Sequence, residues 1–364
     1  LRLLVVATLP EPGGACTHLV SLTHALLQQG HEVTLVATDG RGVWEELPEQ
    51  PGLTKIRATF RERFDASAMA CLRGLLARER FDHVFAVCEQ DYWGTWRAAR
   101  EQRVPVAFFL HHAGMTRTNR LLLPLTRPTY LVPSNDLREW ICARRVSRSR
   151  VHVLPNPIDT AHFARDQAAR DAARSRYGFD ADDVVIGFVG RLEYNKGVLS
   201  FAEALNAAMA RHARVRALWV GSGRRETEVD AIIARAADPS RHVRIPWASD
   251  VRPLYSAMDV LALPSTGRES FGRVLAEAQS CGVPVLGSDI GGIPMALHAG
   301  VSGVLVPPGN APAWTDAIVD LATNTARREA MGGAGRAFVQ AHFESREVAA
   351  QLVAFVRSHT PSRA

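Results

Sequence analysis

The chain alternates between short apolar runs and longer stretches whose apolar residues recur every three or four positions. Leu3-Leu-Val-Val-Ala7 is continuously apolar, as a strand buried on both faces reads. It leads through Pro10-Glu-Pro-Gly-Gly14 into a helical run from Thr17 to Gln29. Gly30 ends that helix, and His31-Glu-Val-Thr-Leu-Val-Ala37 is the next strand. The same pattern predicts strands at Leu53–Thr59, His83–Val87, Val104–Leu110, Thr129–Val132 and Val151–Leu154. Six more follow near Val184, Leu218, Val243, Val260, Val283 and Val304, each with a helix-like stretch after it. From Ala326 helical runs continue to Ser358. Strands alternating with helices are the mark of parallel α/β sheets. Asn156-Pro157-Ile-Asp159 breaks the pattern, and Thr160–Gly178 is polar and charged, which places the interdomain crossing there. The expected architecture is two Rossmann-like parallel-sheet domains of similar size, 1–158 and 159–342, facing across a cleft.

Composition changes this picture little. A chain of 364 residues suits two domains, and 47% hydrophobic with 22% charged residues suits a soluble globular protein with sizeable cores. No apolar run reaches the length that spans a bilayer. Leu3–Leu9 is too brief for a secretory signal and reads as a first buried strand. Five cysteines (Cys16, Cys71, Cys88, Cys142, Cys281) are scattered without a Cys-x-x-Cys pair. That pattern predicts free thiols in a reducing cytoplasm and argues against a zinc site or a disulfide framework. The formal net charge is +6, and all but two of the 43 basic side chains are arginine. Aromatic residues are not interleaved with them, so nucleic acid is not an expected partner. One run, Arg144-Arg145-Val-Ser-Arg148-Ser-Arg150, is denser; it reads as a solvated face, with contact to an anionic acceptor or a membrane surface as the other reading.

Candidate chemistry gathers at three places. Glu269-Ser-Phe-Gly-Arg-Val-Leu-Ala-Glu277 lies between two predicted strands, with a Phe-Gly turn opening an apolar helical run. Its loop falls at the carboxyl end of the first of those strands, where open parallel sheets bind ligands. Glu269 sits before the helix and Glu277 inside it, and the free amides of Gly272, Arg273 and Val274 lie between them at the positive end of the helix dipole. A ligand with hydroxyls at both ends and phosphates in the middle suits that layout; two surface acids complementing a helix dipole is the plainer reading. In Gly190-Arg191-Leu-Glu-Tyr-Asn-Lys196-Gly197 two cations follow a strand end. Lys196 is a compact ammonium in a chain that otherwise uses arginine, and such a pair fits a diphosphate leaving group. In the first half, Gly13-Gly14 at a helix start could admit a phosphate or form a simple turn, and His111-His112 end a strand. Adjacent residues on an extended chain point apart, so one histidine facing a cleft is favoured over a metal pair.

Gly-Arg191-Leu-x-x-x-Lys196-Gly and the Glu269/Glu277 spacing resemble the paired signatures of family 4 of the retaining glycosyltransferases, which have the GT-B fold. The likeness runs the length of the chain and takes in Gly13-Gly14, the histidine after Val104-Pro-Val, Ser134, Asn156-Pro-Ile-Asp159 and Gly291-Gly292-Ile-Pro294. It implies transfer of a sugar from a nucleotide-diphosphate sugar, with UDP-sugar favoured over GDP-sugar, to a hydroxyl acceptor. Transfer would be with retention and without a metal or other cofactor. Arg191 and Lys196 would hold the diphosphate, helped by Gly14 and the amides of Gly272, Arg273 and Val274. Glu277 would bind the ribose, and Glu269 and His111 the transferred sugar. Gly13 and Phe271 count with the donor-binding residues, and the segment near Trp247 would border the base. The last helix, 343–359, would cross back to the first domain. Two departures stand out: Met295 where the family often has Glu, and Pro246-Trp247 where it usually has a glycine.

Rival readings stay open. Asp180-Ala-Asp182 fits the letters of a metal-dependent transferase motif, but it precedes a strand, at the edge away from ligands, and reads as a turn. A sugar-nucleotide epimerase on the same fold and a non-catalytic two-lobed binding protein are the others. An NAD-dependent oxidoreductase ranks last for want of the glycine fingerprint.

Overall fold

The computed structural model of the chain describes residues 1–8, 13–40, 42–114, 116, 117, 119, 122 and 126–359. The Pro10-Glu11-Pro12 part of the first turn lies outside them. The chain forms two compact units, residues 1–157 together with the stretch from Ser345 onward, and Ile158–Glu344.

In the first unit, β1 (Arg2–Ala7), β2 (Glu32–Ala37), β3 (Leu53–Arg57), β4 (His83–Ala86), β5 (Val106–Phe109), β6 (Thr129–Val132) and β7 (Val151–Val153) form one sheet. Their order is β3-β2-β1-β4-β5-β6-β7 and every pairing is parallel. In β1, Leu3 through Ala7 are all at most 3% exposed, because helices cover both faces. On one face the helices Gly14–Gln28 and Ser345–His359 pack Leu19, Leu22 and Leu26 with Val348, Leu352 and Val356 over Val5 and Leu35. The helix Ala66–Arg78 covers the other face through Leu72, Leu75 and Leu76.

The second unit repeats the plan with β8 (Val184–Val189), β9 (Val215–Val220), β10 (His242–Ile245), β11 (Val260–Leu263), β12 (Val285–Ser288) and β13 (Gly303–Val306). The order is β10-β9-β8-β11-β12-β13, again all parallel. Strand order reverses beside β1 in one sheet and beside β8 in the other. The carboxyl ends of β1 and β4, and of β8 and β11, are therefore each sheet's place for a ligand.

Three sequence expectations change. The strands at 53 and 104 are shorter than their apolar runs, since pairing stops where a neighbouring strand ends. After β12 the chain makes only a three-residue helical turn, Ile293–Met295. Residues 160–178 belong to the second unit and carry a packed helix. Asp166 accepts from the Ala169 amide at 2.9 Å and caps the helix Gln167–Arg176. Arg174, 5% exposed, donates to Asp259 at 3.1 Å and to the carbonyls of Ala257 and Asp183 at 3.2 and 2.8 Å. Arg170 meets the same carboxylate at 2.7 Å, and Asp259 also accepts from the Val185 amide. This helix is held by guanidinium groups, which a hydrophobicity pattern cannot register.

The amino end of β10 carries a pH-sensitive core residue. His242 is buried; its Nδ1 accepts from Trp219 Nε1 at 3.2 Å, and its Nε2 lies 2.9 Å from Asn206 Oδ1. Burial, then the Arg241 charge, push it down to about 4. The folded pKa lies below the unfolded one, so the unfolded chain binds more protons between pH 4 and 6.5. Stability is then complete above 6.5 and falls as pH drops, by up to about 1.4 kcal/mol per pH unit for this one group. Urea unfolding at pH 7 and pH 5 checks this: the acid loss is expected to shrink in His242→Gln.

Among the described residues no helix is long and apolar enough to cross a membrane. All five cysteines are free.

Candidate functional site

In the second unit, β8 delivers Gly190 and an exposed Arg191, whose guanidinium has no ion-pair partner among the described residues. A helical turn, Tyr194–Lys196, then ends on Gly197 at φ +66. A Cβ there would lie 2.0 Å from the Pro264 carbonyl oxygen, so only glycine lets this loop rest on the end of β11. That contact brings Lys196 to Glu269, with Nζ donating to Oε1 at 2.5 Å. Ser265 Oγ donates to the same oxygen at 2.7 Å. The two charged side chains are 21% and 15% exposed, a half-sheltered pair that still reaches solvent. The Glu269 backbone is gripped from behind: Gly292 donates its amide to the Glu269 carbonyl at 2.8 Å. A Cβ on Gly291, at φ +61, would sit 2.5 Å from that carbonyl oxygen. Sequence order alone does not tie Gly291-Gly292 to Glu269; the strand pairing does.

The helix Arg273–Ser280 starts at Gly272 in the left-handed region, leaving its first amides without intrahelical acceptors. Glu277 lies one turn in and is 7% exposed. Arg273 Nε donates to its Oε1 at 2.7 Å, and Tyr255 OH donates to its Oε2 at 2.7 Å. Burial, then the Glu277 carboxylate, push Tyr255 far up, so its hydroxyl keeps its proton. A carboxylate with one donor on each oxygen retains lone pairs for further hydroxyls. Glu277 is thus no loose surface acid: it is oriented from two sides. The sequence reading missed Tyr255 and Ser265, and it valued Arg273 only for its amide.

Other expected donor residues divide. Phe271 is fully buried, its ring edge-on to Phe343 at 5.0 Å. The ring belongs to the core, and what Phe271 can offer a ligand is main chain. Trp247 is 77% exposed, and Met295 is part-buried against the core. Asp180 and Asp182 lie in the turn before β8, where the Asp180 amide donates to Asp183 and Asp182 pairs with Arg214.

In the first unit, Gly13 and Gly14 open the helix Gly14–Gln28 and are exposed; a Cβ on either would meet nothing within 4 Å. Among the described residues nothing demands glycine there. His111 follows β5, and its Nε2 is buried with no hydrogen-bond partner among the described residues. Burial, then the His18 ring 4.8 Å away, hold it well below the usual histidine range, so it is neutral at pH 7. His18 is itself 2% exposed and lies 2.7 Å from Asn156 Oδ1. His112 points elsewhere, to Glu89 at 3.7 Å. Among the described residues no group of three histidine, cysteine or acidic side chains could hold a metal ion.

Two parallel α/β units, each with charged or polar side chains at the carboxyl edge of its sheet, define the GT-B class of two-domain enzymes. Residues 12–162 match the model of glycosyltransferase family 4, and residues 183–324 that of the group 1 glycosyl transferases. The chain belongs to glycosyltransferase family 4. It is 27% identical to the D-inositol 3-phosphate glycosyltransferase of Xylanimonas cellulosilytica, over 90% of this chain and 87% of that protein. It is 36% identical to the enzyme of that name from Kineococcus radiotolerans, over 56% of this chain. The chain spans about half the length of that second relative, 51%. In fold it matches Anabaena Alr3699/HepE, solved with UDP and glucose, with a TM-score of 0.85 over 98% of this chain and 99% of that one at 21% identity. It also matches the sucrose-phosphate synthase of Thermosynechococcus elongatus, with a TM-score of 0.78 over 98% of both chains at 21% identity.

Proposed function

We propose that this glycosyltransferase takes its sugar from a nucleotide-diphosphate sugar, with uridine the favoured base, and passes it to a hydroxyl acceptor with retention and without a metal. The observation that carries the reading is the Lys196–Glu269 pair at the carboxyl edge of the second sheet. A diphosphate reaching the Lys196 ammonium competes with Glu269 for it, and this frees carboxylate oxygens for sugar hydroxyls. As the glycosidic bond breaks, negative charge grows on the diphosphate, where Arg191, Lys196 and the amides of Gly272, Arg273 and Val274 stabilise it. Glu277, oriented by Tyr255 and Arg273, takes the ribose hydroxyls. Gly13 and Gly14 leave room for a phosphate against their backbone. His111, a neutral ring with an unpartnered nitrogen, is a hydrogen-bond partner for a hydroxyl of the transferred sugar. Glu269 acts as a sugar ligand.

The named acceptor of the relatives and the UDP and glucose bound to HepE support the substrate classes to try first. The test is calorimetry with UDP and GDP, followed by turnover of UDP-sugars with polyol and polyol-phosphate acceptors, with and without a chelator. UDP binding with a micromolar constant and a new glycoside of retained anomeric configuration are expected. A sugar nucleotide altered with no acceptor present would instead favour an epimerase. Glu277→Gln is expected to weaken UDP about tenfold, the loss of one charge-assisted hydrogen-bond partner, while leaving thermal unfolding close to that of the original chain.

A further inference from the structure

The opposite edge of the first sheet holds a feature that the reaction does not use. Around the amino ends of β4, β5 and β6 lies a cavity of about 590 Å³. Arg100, Arg103, Arg127 and Arg150 line it, and among the described residues no carboxylate does. None of the four has an ion-pair partner among the described residues. Arg100 lies over the Trp96 ring, 5.0 Å from its centroid, and Arg150 donates to the Arg127 carbonyl. Val104, Pro105, Val106 and Pro128 give the cavity an apolar floor.

Four exposed like charges gathered without a counter-charge among the described residues make a positive patch that attracts anions. Two further observations point the same way. His83 lines the cavity, is 2% exposed, and among the described residues neither of its ring nitrogens has a hydrogen-bond partner. A buried polar ring is ordinarily satisfied, and an unsatisfied one is costly. Its neutral imidazole has one N–H to give. Second, Arg127 holds a φ of +44°, the left-handed region that residues other than glycine seldom adopt. Strained backbone of this kind gathers at functional sites.

We propose that this edge of the first unit carries a second anion site, which takes a phosphate or phosphate-ester group between the four arginines with His83 beneath it. Guanidinium forks suit phosphate oxygens, and the apolar floor suits an ester whose other half is apolar. The dense arginine run reaches the site through Arg150 alone. Arg148 is paired with Glu139 at 2.9 Å, and Arg144 stacks on Trp140. The site lies on the sheet edge away from His111 and does not depend on the donor assignment.

The test compares the full chain with Arg100→Gln/Arg150→Gln, both exposed positions, in two arms. Calorimetry with inorganic phosphate reads the free anion. Co-sedimentation with vesicles of phosphatidylglycerol, against phosphatidylcholine alone, reads a lipid headgroup. At least about a tenfold loss of phosphate affinity in the double variant supports the site with a soluble ligand. Loss of binding to the anionic vesicles alone supports it with a lipid source. No difference between the two chains in either arm overturns it. His83→Phe keeps the aromatic packing on Phe85 and all four charges. It is also expected to weaken phosphate binding, with an unchanged thermal midpoint as the folding control. Unchanged binding by His83→Phe in whichever arm responds to the double variant would reduce the cavity to surface charge and overturn the built site.

Discussion

Lys196→Ala is expected to lower turnover by about a hundredfold or more, and Glu269→Gln by a similar factor. The two act for different reasons. The lysine removes a cation from the place where charge grows as the sugar leaves; the glutamine keeps the shape of Glu269 but loses its charge and weakens its grip on sugar hydroxyls. Both positions are 15–21% exposed in their side chains, so neither change opens a cavity, and both proteins are expected to melt near the original temperature. Because Lys196 and Glu269 hold one another, the double variant should lose less than the product of the single losses. Single-turnover rates with saturating UDP-sugar measure this apart from binding. Near-normal rates in both single variants would dismiss the site.

The largest stability effect is expected at Arg174. Replacing it by Met keeps most of the volume but leaves the carbonyls of Ala257 and Asp183 without their donor and Asp259 with one arginine in place of two. Taking one partner from a buried ion pair costs about 3–5 kcal/mol, and Arg170 remains to soften the loss. We expect about 3 kcal/mol in urea unfolding, confined to the second unit. A loss under about 0.5 kcal/mol, the level of an ordinary surface change, would mean the helix Gln167–Arg176 is dispensable to that unit.

The chain's own pattern determined the alternation of strands and helices, and with it the parallel sheets. A strand buried on both faces must be apolar throughout, and a helix covering it must be apolar on one side. It also determined which chemistry to look for. Lys196 stands out because arginine serves almost everywhere else, and Glu269 and Glu277 stand out because a glycine turn and a helix start lie between them. Tertiary structure alone decided what those side chains touch. Tyr255 reaches Glu277 from a helix 22 residues earlier, and Gly291 and Gly292 brace Glu269 from the loop after the next strand. Phe271 turned to the core and His18 came up beneath His111 for the same reason. Periodicity assigns a residue to a strand or a helix face, but strand order chooses its neighbours. The strand order here sets β8 beside β11, bringing together residues some seventy positions apart.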